Sequence, residues 1–317
     1  MTYLNTFSRS PMKHKSIAER FCLTAHVVST LFGLAGLLFI LPNPELVANL
    51  PPMGMNIFVW SMATGGVAYI VFGAATLALY GYRTLGLGTT LAFMIPSLFL
   101  SLSSELLGTS TGFPFGHYQY LSGLGYKIAG LVPFTIPLSW FYMGLTCYLL
   151  ARAGLKLKMG DSWVRQLSAL ALGAILLTAW DLVLDPAMSQ ATFPFWQFQE
   201  VGEFFGMPYR NLAGWMGTGF IFMSVGAFLW RRTPIALSRS QLTLPLIVYI
   251  TNFFFGAAIT VVELDTRFLF PVALSILFGV VPAIIFWWNA KPSLDTMESL
   301  LSSDNITTPS AVEVVAK

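Results

Sequence analysis

Long apolar runs separated by short polar breaks dominate this chain. Runs of spanning length cover residues 20–41, 56–80, 85–104, 128–151, 164–184, 211–230, 243–262 and 268–289. Each is close to the roughly 20 residues that a helix needs to cross a hydrocarbon core about 30 Å thick. In lipid a spanning segment must satisfy its own backbone N–H and C=O groups, which a helix does within itself. The pattern therefore predicts an all-α, polytopic membrane protein of about eight transmembrane helices, with a single helical domain over 20–290. Residues 1–19 form a polar, basic tail, and 291–317, rich in Ser, Thr, Asp and Glu, read as a disordered one. The glycine-rich stretch around 105–127 has room for a re-entrant segment. The first apolar run, Phe21 to Leu41, spans and lacks a small-residue cleavage site, so no cleavable signal is expected.

Charge gives these spans a direction. Only 10% of residues are charged against 56% hydrophobic, too little polar surface to clothe a soluble globule of 317 residues. A net charge of +3 leaves no nucleic-acid footprint. Eight spans return the chain to its starting side. With the N-terminus cytoplasmic, Arg9, Lys13, Lys15, Arg20, Arg83, Arg152, Lys156, Lys158, Arg165, Arg231, Arg232, Arg239, Lys291 and Lys317 face the cytoplasm, and only Lys127, Arg210 and Arg267 of the 17 basic residues do not. That asymmetry predicts both termini inside; the expected location is a plasma or thylakoid membrane. Cys22 and Cys147 sit in apolar runs and imply no disulfide framework.

The acids gather at the other face: Glu45, Glu105, Asp181, Asp185, Glu200, Glu203, Glu263 and Asp265 fall at outer helix ends or in outer loops. In Trp180-Asp181-Leu182-Val183-Leu184-Asp185-Pro186 two carboxylates stand four residues apart, on one helical face, with Pro186 expected to end the helix. A solvated helix end would explain them. Yet negative charge at a helix C-terminus opposes the dipole, like charges at this spacing repel, and charge within a span is expensive and usually functional. A second constellation runs from Glu105 through Gly112, Phe113-Pro114-Phe115-Gly116, His117 and Tyr118 to Lys127; a third runs from Trp196 through Glu200, Glu203 and Arg210 to Asn211 and Trp215. Both also read as interfacial loops with an aromatic belt. The spans that carry Glu105, Asp181 and Asn211 are expected to converge on one cavity, with Glu105 and Glu203 joining the aspartates as catalytic acids.

Several chemistries are missing. His14, His26 and His117 are the only three histidines and lie far apart, which excludes a di-iron hydroxylase or desaturase. Gly86-x-Gly88 and Gly123-x-Gly125 lack a third glycine, so there is no dinucleotide fingerprint, and there is no P-loop. Carboxylates among aromatic rings in lipid suit cofactor-free acid chemistry on an apolar substrate. Two rivals stand beside this reading. Asp181 and Asp185 can hold magnesium in a membrane isoprenoid transferase, although no second aspartate cluster is present. The acids can equally line an ion path in a non-catalytic protein that binds or transports an apolar ligand.

Several strings are recognisable together. Glu105 to Gly116, Gly123-Leu124-Gly125-Tyr126-Lys127 with Val132-Pro133, and Ile136-Pro137-Leu138-Ser139-Trp140-Phe141 are followed by Trp180-Asp181 with Asp185-Pro186, then Gly206-Met207-Pro208 with Asn211 and Gly214-Trp215. In combination they resemble the CruF-type carotenoid biosynthesis proteins over about 20–290. The resemblance implies a hydro-lyase that adds water across the terminal 1′,2′ double bond of an acyclic carotenoid end, leaving a tertiary 1′-hydroxyl. It implies γ-carotene or a relative as substrate, C50 acyclic carotenoids in other branches, and other enzymes of the carotenoid pathway as neighbours in the bilayer. Such hydration needs a carboxylic acid kept protonated by burial and a neighbouring carboxylate, which Asp181 and Asp185 can provide, together with one water and a surface that tolerates a cation. Trp140, Trp180, Trp196 and Trp215 offer π faces to that cation, and His117, Tyr118, Lys127 and Asn211 complete the expected substrate site. No cofactor or metal is expected.

Overall fold

The computed structural model describes residues 17–158 and 160–290; the two tails expected from the sequence lie largely outside this range. Helix α1, Ile17–Ala35, continues as a π-turn over Gly36–Ile40 and is followed by the short α2, Pro44–Ala48. Helix α3, Pro52–Thr84, has 33 residues, roughly 50 Å at 1.5 Å per residue. Pro51 and Pro52 start it, where a missing N–H costs nothing. Helix α4, Leu87–Thr111, closes on Gly112, whose φ of 81° suits glycine and whose N–H reaches the Gly108 carbonyl.

The short strands β1 (Tyr118–Tyr120), β2 (Lys127–Ile128) and β3 (Val132–Pro133) then lead into α5, Thr135–Gly154. After α6, Trp163–Ser189, come β4 (Trp196–Phe198), α7 (Tyr209–Leu229) and α8 (Arg239–Glu263). Ser238 and Gln241 form a capping box at the start of α8. The final span, Thr266–Asn289, contains α9 (Leu269–Ser275), a second π-turn over Ile276–Val280, and α10 (Val281–Asn289).

Among the described residues seven helical segments are long and apolar enough to cross a membrane: Ile17–Ile40, Pro52–Thr84, Leu87–Thr111, Trp163–Ser189, Tyr209–Leu229, Arg239–Glu263 and Thr266–Asn289. The fold is all-α and polytopic as expected, but the span expected over 128–151 is divided differently. Residues 127–133 form the β2–β3 hairpin, and α5 starts only at Thr135. Helix α5 is 20 residues long and packs against α3, α4, α6, α7, α8 and α10. Nearly all of its side chains from Trp140 to Arg152 are buried. Enclosed by protein, it need not be as apolar as helices whose Phe99, Ile221, Phe254 and Phe270 face outward.

Two further expectations are corrected. Residues around 105–127 form no re-entrant helix, because α4 runs on to Thr111 and the chain then turns into β1. Nor does Pro186 end α6, which continues to Ser189. A proline removes one backbone bond, but packing against α7, α8 and α9 keeps the helical path, and the Ser189 hydroxyl donates to the Asp185 carbonyl at 2.7 Å.

Long-range pairing gathers the loops 112–134 and 190–208 at one end. Strands β1 and β4 pair antiparallel with Tyr118 opposite Phe198 and Tyr120 opposite Trp196. In the same region Glu263, at the end of α8, accepts the Thr192 N–H at 2.8 Å. Beneath this end α6 and α8 touch backbone to backbone: a Cβ on Gly256 would stand 2.9 Å from the Val183 carbonyl oxygen. Thr260 donates to that same oxygen at 3.1 Å.

Candidate active site

Below the paired loops lies a cavity among α3, α4, α5, α6 and α7, with about 800 Å³ free of protein atoms. Helical spacing brings Asp181 and Asp185 to the same face of α6, and both are fully buried. The Asn211 amide stands between them, its Nδ2 donating to Asp181 Oδ2 at 3.0 Å and to Asp185 Oδ2 at 3.2 Å. Trp196 Nε1 donates to Asp185 Oδ1 at 2.6 Å. Asp185 is thus held at both oxygens, whereas Asp181 Oδ1, also buried, has no partner.

Glu105 is the third buried acid. It lies inside α4, a turn and a half before the helix ends. Strand alternation turns Tyr118 and Tyr120 inward and Gln119 outward. Both phenols donate to Glu105 Oε2, Tyr120 at 2.9 Å, while Trp140 Nε1 donates to Oε1 at 2.8 Å. Burial first, and the nearby Glu105 charge second, push both phenols above their ordinary range, so they remain O–H donors.

Indole rings line the space between these acids. Trp140 stacks on Trp215 with centroids 4.2 Å apart, and Trp180 meets Trp215 edge-on at 5.8 Å. On the far side Asn252 Oδ1 accepts from Tyr69 and from Tyr142 (2.7 Å), and Asn252 Nδ2 approaches His26 Nε2 at 3.2 Å. Because His26 Nδ1 must donate to the Tyr69 carbonyl (2.9 Å), Nε2 is the acceptor and the imidazole is neutral. Among the described residues no lysine or arginine lines the cavity.

The structure brings together Glu105, Asp181, Asp185, Tyr118, Trp140, Trp180, Trp196, Asn211 and Trp215, nine of the residues singled out in the sequence. The spans carrying Glu105, Asp181 and Asn211 converge as expected. Three residues stand apart. Glu203 is exposed, and its Oε2 accepts the Tyr209 N–H at 3.3 Å, capping α7. His117 is exposed, with its backbone N–H on Glu200 at 3.2 Å. Lys127 Nζ donates to the Tyr120 carbonyl at 2.5 Å, supporting β1 from outside. Arg210 points away from the cavity to pair with Glu200, while Asn211, the next residue, points in. Tyr120 was missed, although the Tyr-x-Tyr alternation at 118–120 carries its signal. Tyr69, Tyr142 and Asn252 had none, being polar residues dispersed through apolar runs.

With this geometry in place, comparison with known proteins supplies the family. The description "carotenoid biosynthesis protein" fits a family that this chain matches over residues 65–282, well over half its length. The chain belongs to that family. A bisanhydrobacterioruberin hydratase of Haloarcula japonica is 38% identical to it over 121 residues, or 38% of this chain and 39% of the relative. The match thus spans about two-fifths of the relative's length. No solved structure matches.

Among the described residues no three His, Cys, Asp or Glu side chains come together as a metal site.

Proposed function

We propose that this family member is a carotenoid hydratase. It adds water across the terminal trisubstituted double bond of the acyclic end of γ-carotene or a related carotenoid, giving a tertiary 1′-hydroxyl. The observation that carries this reading is Asp181 Oδ1, a buried carboxyl oxygen with no partner, in an indole-lined cavity. Ionising both aspartates would bury two like charges against one shared amide and one indole N–H, so the pair shares a proton. Asp185 accepts two N–H groups and is the better carboxylate; Asp181 carries the proton on its free oxygen.

Asp181 delivers that proton to C-2′, and the two π electrons of the double bond form the new C–H bond. Positive charge then develops at C-1′, facing Trp140, Trp180 and Trp215, with the Glu105 carboxylate behind them. Water adds its oxygen to C-1′ and returns a proton to the aspartate pair, which restores the starting state. The family relationship and the hydratase named among its relatives support the same reaction class. A magnesium-dependent transferase fits less well, because no basic residue lines the cavity to receive a diphosphate.

The test is anaerobic incubation of membranes with γ-carotene or lycopene in ¹⁸O-labelled water, without added reductant, iron or flavin. Label in the 1′-hydroxyl is the expected result. A strict requirement for oxygen and reductant would overturn the mechanism.

A further inference from the structure

The acid cavity is too short for the substrate proposed for it. Its lining gathers around Glu105, Asp181 and Asp185 beneath the paired loops at one end of the bundle, whereas a C40 polyene is about as long as the bilayer core, roughly 30 Å. Most of the chain must lie elsewhere.

A second cavity of about 780 Å³ adjoins the first, and the two share Gly66, Tyr69, Phe195 and Phe255. It runs between the second half of α1 and the first half of α3, roofed by Phe193 and Phe195 of the loop that leads into β4. Among the described residues no charged side chain lines it. Phe32 at its rim is 53% exposed, so the groove opens where lipid would surround the helices.

Two features keep the groove open. Gly33 of α1, Gly36 of the π-turn, and Gly65 and Gly66 of α3 all line it, and a Cβ built on Gly36 or Gly65 meets nothing within 4 Å. At Gly36 the helix also changes to π geometry, with Leu41 N–H bonding back five residues to the Gly36 carbonyl at 3.0 Å. Helix pairs in membranes normally use small residues to close ranks; at these two positions the space is left unfilled. At the inner end, beyond Tyr69, stands the unpartnered buried oxygen of Asp181.

We infer that this α1/α3 groove holds the polyene shaft of the substrate, admitted sideways from the lipid, with its acyclic end passed between Tyr69 and Phe195 to Asp181. The identity of the ligand rests on the hydratase reading; the groove and its connection to the acid cavity do not.

The experiment separates the two. The full-length protein is expressed in carotenoid-producing cells and purified in mild detergent. Bound pigment per protein is read by visible absorbance, and hydroxylated product by chromatography. Gly36→Leu and Gly65→Leu place an isobutyl group in open space and raise helix propensity. Both should keep a monodisperse fold yet lose bound carotenoid and product at least tenfold, and the corresponding alanine variants should lose far less. Gly217→Leu on α7, also in open space but away from the groove, should behave as wild type. Asp181→Asn should keep the pigment and lose the product. Leucine variants that retain pigment like wild type, or a wild-type protein that carries none, would overturn the groove. Pigment lost only in the leucine variants, with no hydrated product even from wild type, would leave the groove standing and remove the hydratase reading.

Discussion

Asp181 and Asp185 have the same side chain, the same helix face and the same burial, and they differ in how many N–H groups each accepts. That difference predicts unequal variants. Asp181→Asn keeps the shape and the hydrogen bond to Asn211 but has no acidic proton, so hydration should fall by about 10²–10⁴-fold or more. Asp185→Asn should hurt less, because it leaves the Asp181 proton in place and its single amide oxygen can still accept from one of the two donors, Trp196 or Asn211. Product formed in membranes bearing each variant decides it. Near-wild-type rates in both would remove the aspartates from the mechanism. This pair was legible in the sequence because the helical period alone brings the two together, and their cost at a helix C-terminus marks them out. Glu203 shows the limit of that reasoning. Whether a loop glutamate turns inward or caps the next helix depends on the path of the chain between 198 and 209, which no periodicity encodes.

At the level of elements, the β1–β4 pairing is what converts two loops into a roof. It sets Tyr118, Tyr120 and Trp196 over the acids, and it is fastened on its outer side by Glu200, which accepts from Arg210 and from the His117 amide. Burial pushes the Glu200 carboxyl up slightly, but those donors win and hold it below the ordinary carboxylate range. A lowered value in the folded state means that this fastening is complete above the unfolded carboxylate value, about 4.3, and is lost as pH falls through the lowered one. Since the pair is partly solvated, its contribution is modest. Glu200→Gln at neutral pH should therefore mimic the acid-loosened roof and reduce product by about twofold to fivefold, as expected for a rim pair worth up to about 1 kcal/mol. An unchanged rate would show that the strands hold without it. Helix positions were readable from apolar runs to within several residues. Their ends were less so, because buried neighbours rather than local signals carry α4 past Glu105 and α6 past Pro186. Strands of two or three residues leave almost no pattern.

For the whole molecule, the helices alternate so that the acid cavity and its roof occupy one end while residues 155–158 and the 230–238 connection occupy the other. From the basic asymmetry of the sequence we propose that this second end is the cytoplasmic one. Cysteines placed in 155–158 should then be labelled only from inside, and those in 199–203 only from outside; the reverse pattern would invert the orientation of the site. The central position of α5 has a consequence for how the protein is made. It carries Trp140, which fixes Glu105, yet it is the one long helix among the described residues that is not apolar enough to cross a membrane on composition alone. Its neighbours, not the lipid, supply its surroundings, so a nascent α5 has little reason to leave the translocon until they are present. In an insertion assay the isolated 135–154 segment should partition poorly, and α4 through α6 together should insert efficiently. Membrane entry and assembly of the catalytic centre would then be a single event, so that a chain unable to build its active site would also fail to settle in the bilayer.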